Sequence, residues 1–415
     1  MTDTASRLAP VHVISAAAKE PASPARIASV DVLRGLVMVI MALDHTRDYL
    51  SYLRFQPEDL THSYPALFFT RWITHFCAPM FFFLAGTGAY LLRSRSGSIG
   101  RIARFLWTRG IWLIALEFTV IDFAWTFVPF HFGGVIWSLG CAMIILGALV
   151  WLPEQIILWL GLFLIAALDL TDGVRLHSLG GFAPMWSLLH RMGVVPHTQF
   201  FVLFPILPWA VVMAVGYGCG KMFLLASEQR QKLLLQVGCA ATVLFLILRA
   251  LNAYGNPASD VAATSPGQWH RQASWAMTVV SFLDLEKYPA SLQFLLMTIG
   301  PSLILLSYLD RVPAGSLAEK LLRPVLIFGR VPLFFYVLHL YLIHGLAVVL
   351  ALAFHQPVEW LFQGAFWMNR LPQGYGHGLG MIYTIWIAAV ALLYYPCAWF
   401  ADLKQRRRSW WLSYL

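Results

Sequence analysis

Asp44, His45 and Asp48 stand close together in a segment that is otherwise apolar, and Arg71 and His75 follow in the next apolar stretch. An imidazole exchanges a proton near neutral pH, and carboxylates beside it can orient the ring, so this set suits general-base chemistry. Asp44 and Asp48 are four residues apart and share a helical stripe, as do Arg71 and His75. Adjacent helical residues point apart, so a carboxylate that orients His45 is Asp48 or comes from another helix. If the first two apolar stretches are consecutive antiparallel helices, His45 and His75 lie at similar depth and can face each other. A charge at the centre of a membrane helix costs about 2.5–3.5 kcal/mol, so each one needs a reason. The plainer reason is a helix–helix hydrogen-bond network of satisfied side chains.

Other polar residues stand in the same kind of setting. Asp31 and Arg34 are three apart and read as an ion pair that anchors a helix end. Tyr336 and His339 share a face from which His344 is displaced. A proton relay along these groups, or plain interhelical bonding, accounts for them, and bonding accounts better for Glu117 and His344. Asp122 and Arg249 complete the inventory. HExxH, a phosphate-binding glycine loop and a GxSxG elbow are all absent from the sequence. The five cysteines sit singly in apolar runs without zinc or disulfide spacing. No metal is expected.

The elements that must hold these side chains are membrane helices. Of 415 residues, 59% are hydrophobic and 12% charged, where a soluble domain carries roughly 25% charged residues. A helix that spans the hydrocarbon needs about 20 apolar residues. Such segments fall near 30–50, 67–92, 110–129, 134–152, 155–170, 200–224, 234–252, 290–309, 325–353 and 380–401. The expectation is an all-α, polytopic transmembrane helix bundle of about ten spans. Segments 134–152 and 155–170, separated by Pro153 and Glu154, are a tight hairpin or one broken element. From Arg34 to His45 the rise is about 16 Å, which places His45 in the outer third of the bilayer.

Residues 1–28, rich in Ala, Ser and Pro, read as a disordered cytoplasmic tail. Residues 29–403 form the membrane domain, and 404–415 a basic and aromatic cytoplasmic tail. Lys and Arg crowd the alternate loops, with Arg93, Arg95, Arg101, Arg104 and Arg109 in one of them, which predicts both termini inside (N-in/C-in). The net charge of +9 then reflects topology and anionic lipid rather than nucleic acid. The outer loops 171–199 and 253–289 carry Trp186, His190, His197, Trp269, His270 and Trp275, an interfacial belt or a surface for sugar rings.

The run SVDVLRGLVMVIMALDH (Ser29–His45), then TRWITHFCAPMFFFLAG (Thr70–Gly86), FGRVPLFFYVLHLYLIH (Phe328–His344) and RRRSWWLSYL (Arg406–Leu415) together carry a family signature. They resemble the bacterial relatives of the lysosomal heparan-α-glucosaminide N-acetyltransferase catalytic domain, in the transmembrane acyltransferase superfamily. The resemblance implies transfer of acetyl from cytoplasmic acetyl-CoA to a sugar amine or hydroxyl of an envelope glycan across an inner membrane. It also makes a homodimer plausible. In related families that acylate envelope sugars, an Arg in the LRG motif is followed by a functional His, which implies Arg34 and His45 here. In the lysosomal enzyme the key His precedes the second span, where His62 lies. The resulting order is His45, then His75, then His62. Arg34, Arg101, Arg104 and Arg330 are the candidate cations for the phosphates of CoA. A histidine near mid-membrane would deprotonate the acceptor or carry the acetyl group itself, with direct transfer preferred. A proton-coupled transporter using the same groups, or a scaffold, are the competing readings.

Overall fold

The computed structural model describes residues 27–171, 173–258, 267–364, 371–407 and 412. The expected N-terminal tail lies outside these except for Ile27 and Ala28. Of the C-terminal tail, Lys404–Arg407 and Leu412 lie inside them.

The chain is all-α and polytopic. Its helices are α1 (Ala28–Leu50), α2 (Pro65–Trp72), α3 (Cys77–Ser96), α4 (Ile99–Leu116), α5 (Asp122–Thr126), α6 (Val135–Leu149), α7 (Glu154–Leu168) and α8 (Ala183–His190). There follow α9 (Ile206–Gly218), α10 (Ser227–Ala250), α11 (Trp275–Leu283), α12 (Leu292–Leu309), α13 (Leu317–Arg330), α14 (Pro332–Ala353) and α15 (Leu379–Arg406). Strand β1 (Phe132–Gly133) pairs in parallel with β3 (Phe201–Val202), and β2 (Gly193–Val194) pairs antiparallel on its other side. Among the described residues, 7 helical segments are long and apolar enough to cross a membrane. The three other expected spans coincide with α1, which carries the charges, with α4 and α5, and with the shorter α6.

Three boundaries differ from the sequence reading. The span expected at 110–129 begins at Ile99, so Arg101 and Arg104 ride on helix rather than loop. Gly97, at φ 64, closes α3 with its N–H on the Arg93 carbonyl, and the Ser98 side chain accepts from the Arg101 N–H to start α4. A left-handed cap followed at once by a serine cap leaves almost no loop. Second, 325–353 is two helices. Pro332 is the first residue of α14, and its ring pushes Val331 out of helical geometry (φ −131, ψ 51). Third, 67–92 is broken at Ile73–Phe76, a 3-10 turn between α2 and α3. Pro79 has no N–H for the carbonyl of His75, four residues back, and its ring crowds that carbonyl. As for α6 and α7, they are separate helices that both pack on α9.

Helix α1 lies at the centre, packed by α3, α12, α13, α14 and α15. Its contact with α13 is backbone to backbone. A Cβ on Gly35 would strike the Val325 carbonyl, and one on Gly329 would strike the Asp31 carbonyl. Such approach is the packing mode of membrane helices, where small residues replace a hydrophobic driving force. At the other end, the segment before α15 caps α1: His377 N–H donates to the Leu50 carbonyl (2.7 Å) and the Tyr375 hydroxyl to the Tyr49 carbonyl (2.6 Å).

Candidate active site

Between α4 and α5 the helix widens into a π-turn, Glu117–Ile121. Lipid offers no partner for the carbonyls that such a turn disturbs, so side chains must supply them. The Tyr341 hydroxyl donates to Val120 O (2.9 Å), His344 Nδ1 to Ala124 O (2.9 Å) and the Tyr49 hydroxyl to Trp125 O (3.0 Å). These bonds tie α5 to α1 and α14 and set Trp125 edge-on to His45, ring centres 4.8 Å apart.

His45 is half-buried, and its Nδ1 lies 2.7 Å from Nε2 of the buried His339. His339 Nδ1 is 3.1 Å from the Phe335 carbonyl one turn back. A carbonyl can only accept, so His339 Nδ1 carries the hydrogen and its Nε2 accepts. His45 Nδ1 must then be the donor, which leaves a bare lone pair on His45 Nε2. That atom has no partner among the described residues. The arrangement is a base held in one tautomer by a second ring, with Tyr336 5.3 Å from His339 and 6.3 Å from His45, centre to centre.

Alongside runs a buried ionic chain. Arg47 Nη2 donates to Asp44 (2.9 Å) and to Asp48 (2.6 Å). Arg71 Nη1 pairs with Asp44, and its Nε with Glu58 (2.8 Å). His75 Nε2 is 3.5 Å from Glu58. Burial disfavours the charge on Glu58, but Arg71 and His75 outweigh it and hold the carboxyl well below the usual range. Lys287 is buried against the rings of Tyr288 (5.0 Å) and Phe204 (5.9 Å), and its charge reaches Asp44 and His45.

At the N-terminal end of α1, Arg34 pairs with Asp31 (3.0 Å) and reaches the Gly329 carbonyl (3.4 Å). Arg330 is the next residue, half-buried, with an Nε that has no partner among the described residues. Arg101 and Arg104 are exposed on α4, which packs on α3 and α6. An open cleft of about 460 Å³ at this end is lined by Ser29, Arg95, Ser227, Arg230 and Asp310.

The structure therefore joins His45, Tyr336 and His339 in one group, Asp44, Asp48, Arg71 and His75 in the ionic chain beside it, and Asp31, Arg34 and Arg330 at the far end of α1. It does not bring His45 to His75. The 3-10 turn directs His75 to Glu58 and to the ring of Phe294, 5.4 Å away. Asp48 is bound by Arg47, and the group on His45 Nδ1 is an imidazole rather than a carboxylate. His62 is exposed and pairs with Asp59 (2.8 Å). Sequence reasoning missed Glu58, Lys287 and Trp125. The first two lie in the segments between apolar spans, where a charge by itself carries no signal.

A family model described as heparan-alpha-glucosaminide N-acetyltransferase, catalytic, matches residues 26–254. That is more than half of the chain, and it includes His45 and the ionic chain from Asp44 to His75 but stops short of His339. No curated protein matches the chain.

Proposed function

Because the chain belongs to the heparan-alpha-glucosaminide N-acetyltransferase catalytic family, and so to a group of membrane acetyltransferases, we propose that it moves acetyl from cytoplasmic acetyl-CoA to a sugar amine or hydroxyl across an inner membrane. His45 Nε2 is the base. The observation that carries this reading is the His45–His339 bond of 2.7 Å, which leaves Nε2 of the half-buried His45 unprotonated.

The acceptor nitrogen or oxygen attacks the thioester carbonyl while His45 Nε2 removes its proton. The carbon–sulfur bond of the tetrahedral adduct breaks, and the imidazolium returns that proton to the departing thiolate. During the cycle the positive charge on His45 is shared through Nδ1–H with His339 Nε2, and the Phe335 carbonyl holds the far proton of His339. Arg34 and Arg330 offer cations to the donor phosphates at the end of the bundle read as cytoplasmic. Arg101 and Arg104 remain candidates for the same anion, from the exposed face of α4.

The test uses purified protein in lipid nanodiscs with labelled acetyl-CoA and glucosamine. His45→Ala is expected to lower transfer by about 10²–10⁴-fold, the usual weight of a general base. Unchanged transfer in that variant would remove the role of His45. Movement of sugar across vesicles without acetyl turnover would favour the transporter reading.

A further inference from the structure

We propose that Tyr336, Glu117, Asp122 and His131 form an exit path for the proton that an amine acceptor sheds at the His45–His339 pair. The proposal rests on the acetyl-transfer reading above.

An amine that enters from water arrives mainly as ammonium. The overall change is R–NH₃⁺ plus acetyl–S–CoA giving R–NH–acetyl, CoA–SH and one H⁺. The proton lost as the nitrogen attacks passes through His45 Nε2 to the thiolate. The earlier one, which must leave before the nitrogen has a lone pair, is surplus and needs somewhere to go. A hydroxyl acceptor produces no such surplus.

The residues beside the histidine pair offer a route. Tyr336 is buried, packs its ring on both histidines, and makes no hydrogen bond through its hydroxyl among the described residues. Its helix, α14, packs against α5, which carries Asp122, and against the π-turn that carries Glu117. Those two carboxyls are 0% and 1% exposed. Glu117 accepts the Trp137 N–H (3.1 Å) through one oxygen, and Asp122 the Phe132 N–H (3.4 Å). The other oxygen of each, Oε1 and Oδ1, is buried without a partner among the described residues. Neither residue is paired with Lys or Arg there. Two buried like charges without a counter-ion are costly, so the pair readily accommodates a proton. Asp122 stands one turn before Trp125, the residue edge-on to His45, so α5 turns one face to both. From Asp122 the way out is short: Oδ2 is 3.3 Å from Nδ1 of His131, whose side chain is 59% exposed. His131 lies at the end of the bundle where α1 terminates.

The variants are Asp122→Asn and, because a buried change can disturb folding, His131→Gln at an exposed position. With glucosamine as acceptor, both are expected to lower N-acetylation about tenfold at neutral pH, a modest share of the effect of a full acid–base group. The deficit should close at a pH high enough for the amine to arrive neutral. A deficit equal at every pH, or none in His131→Gln, overturns the path. Transfer by the unaltered protein only to hydroxyls also overturns it while leaving the acetyltransferase reading intact. No transfer to nitrogen or oxygen sinks that reading itself.

Discussion

At the scale of the residue, His45, the base we propose, is held by a second imidazole where a carboxylate commonly steadies a catalytic histidine. A neutral acceptor stabilises the imidazolium less than an anion would, but it fixes the tautomer equally well. If orientation is its main task, His339→Gln, which can present an amide oxygen near the place of Nε2, should retain more activity than His339→Ala. We expect His339→Ala to lose about 10²-fold and His339→Gln about tenfold less than that, by initial-rate assay. Equal losses would assign His339 another duty. The sequence singled out both rings, since each is a costly polar group in an apolar run. It did not reveal that they meet, because they are 294 residues apart and the register depends on where α14 begins. Asp48, selected by its spacing, is engaged by the neighbouring Arg47, an i,i+1 bond that helical periodicity does not anticipate.

At the scale of the element, two prolines determine which side chains converge. Pro332 separates α13 from α14, and Pro79 breaks the helix at His75. Both were visible as letters, and periodicity carried the helices through them because apolar residues continue on either side. The close crossing of α1 and α13 holds the Arg34 end in place. Gly329→Leu has no room against the Asp31 carbonyl. Overpacking of this sort costs about 1–3 kcal/mol or more. The expected result is a lowered unfolding temperature in detergent and weaker dependence of rate on donor concentration. An unchanged melting temperature would show that α13 can move aside. The π-turn at Glu117–Ile121 carried no recognisable sequence signal, since the side chains that donate to its disturbed carbonyls come from α1 and α14.

At the scale of the whole molecule, the helical class and seven of the expected spans were legible, because hydropathy alone decides which segments leave water. For orientation we propose the one that the basic loops imply. Both termini inside predicts that a cysteine introduced at His131 reacts with a membrane-impermeant maleimide added outside intact cells, whereas one introduced at Arg95 reacts only after permeabilisation. The reverse pattern would invert the molecule and, with it, the side from which acetyl-CoA enters. The pairing of α1 with α13 and α14, and hence the meeting of His45 with His339, depends on which faces pack together, and hydropathy does not distinguish these.

The placement of Arg34 at one end of α1 and His45 near the other turns the helix into a ruler. A donor whose phosphates rest on that arginine must extend about 16 Å before its acyl carbon meets the ring. A short thioester has either the anchor or the reach but not both. If Arg34 anchors the donor as proposed, donor choice is decided by length before any contact with the acetyl group itself.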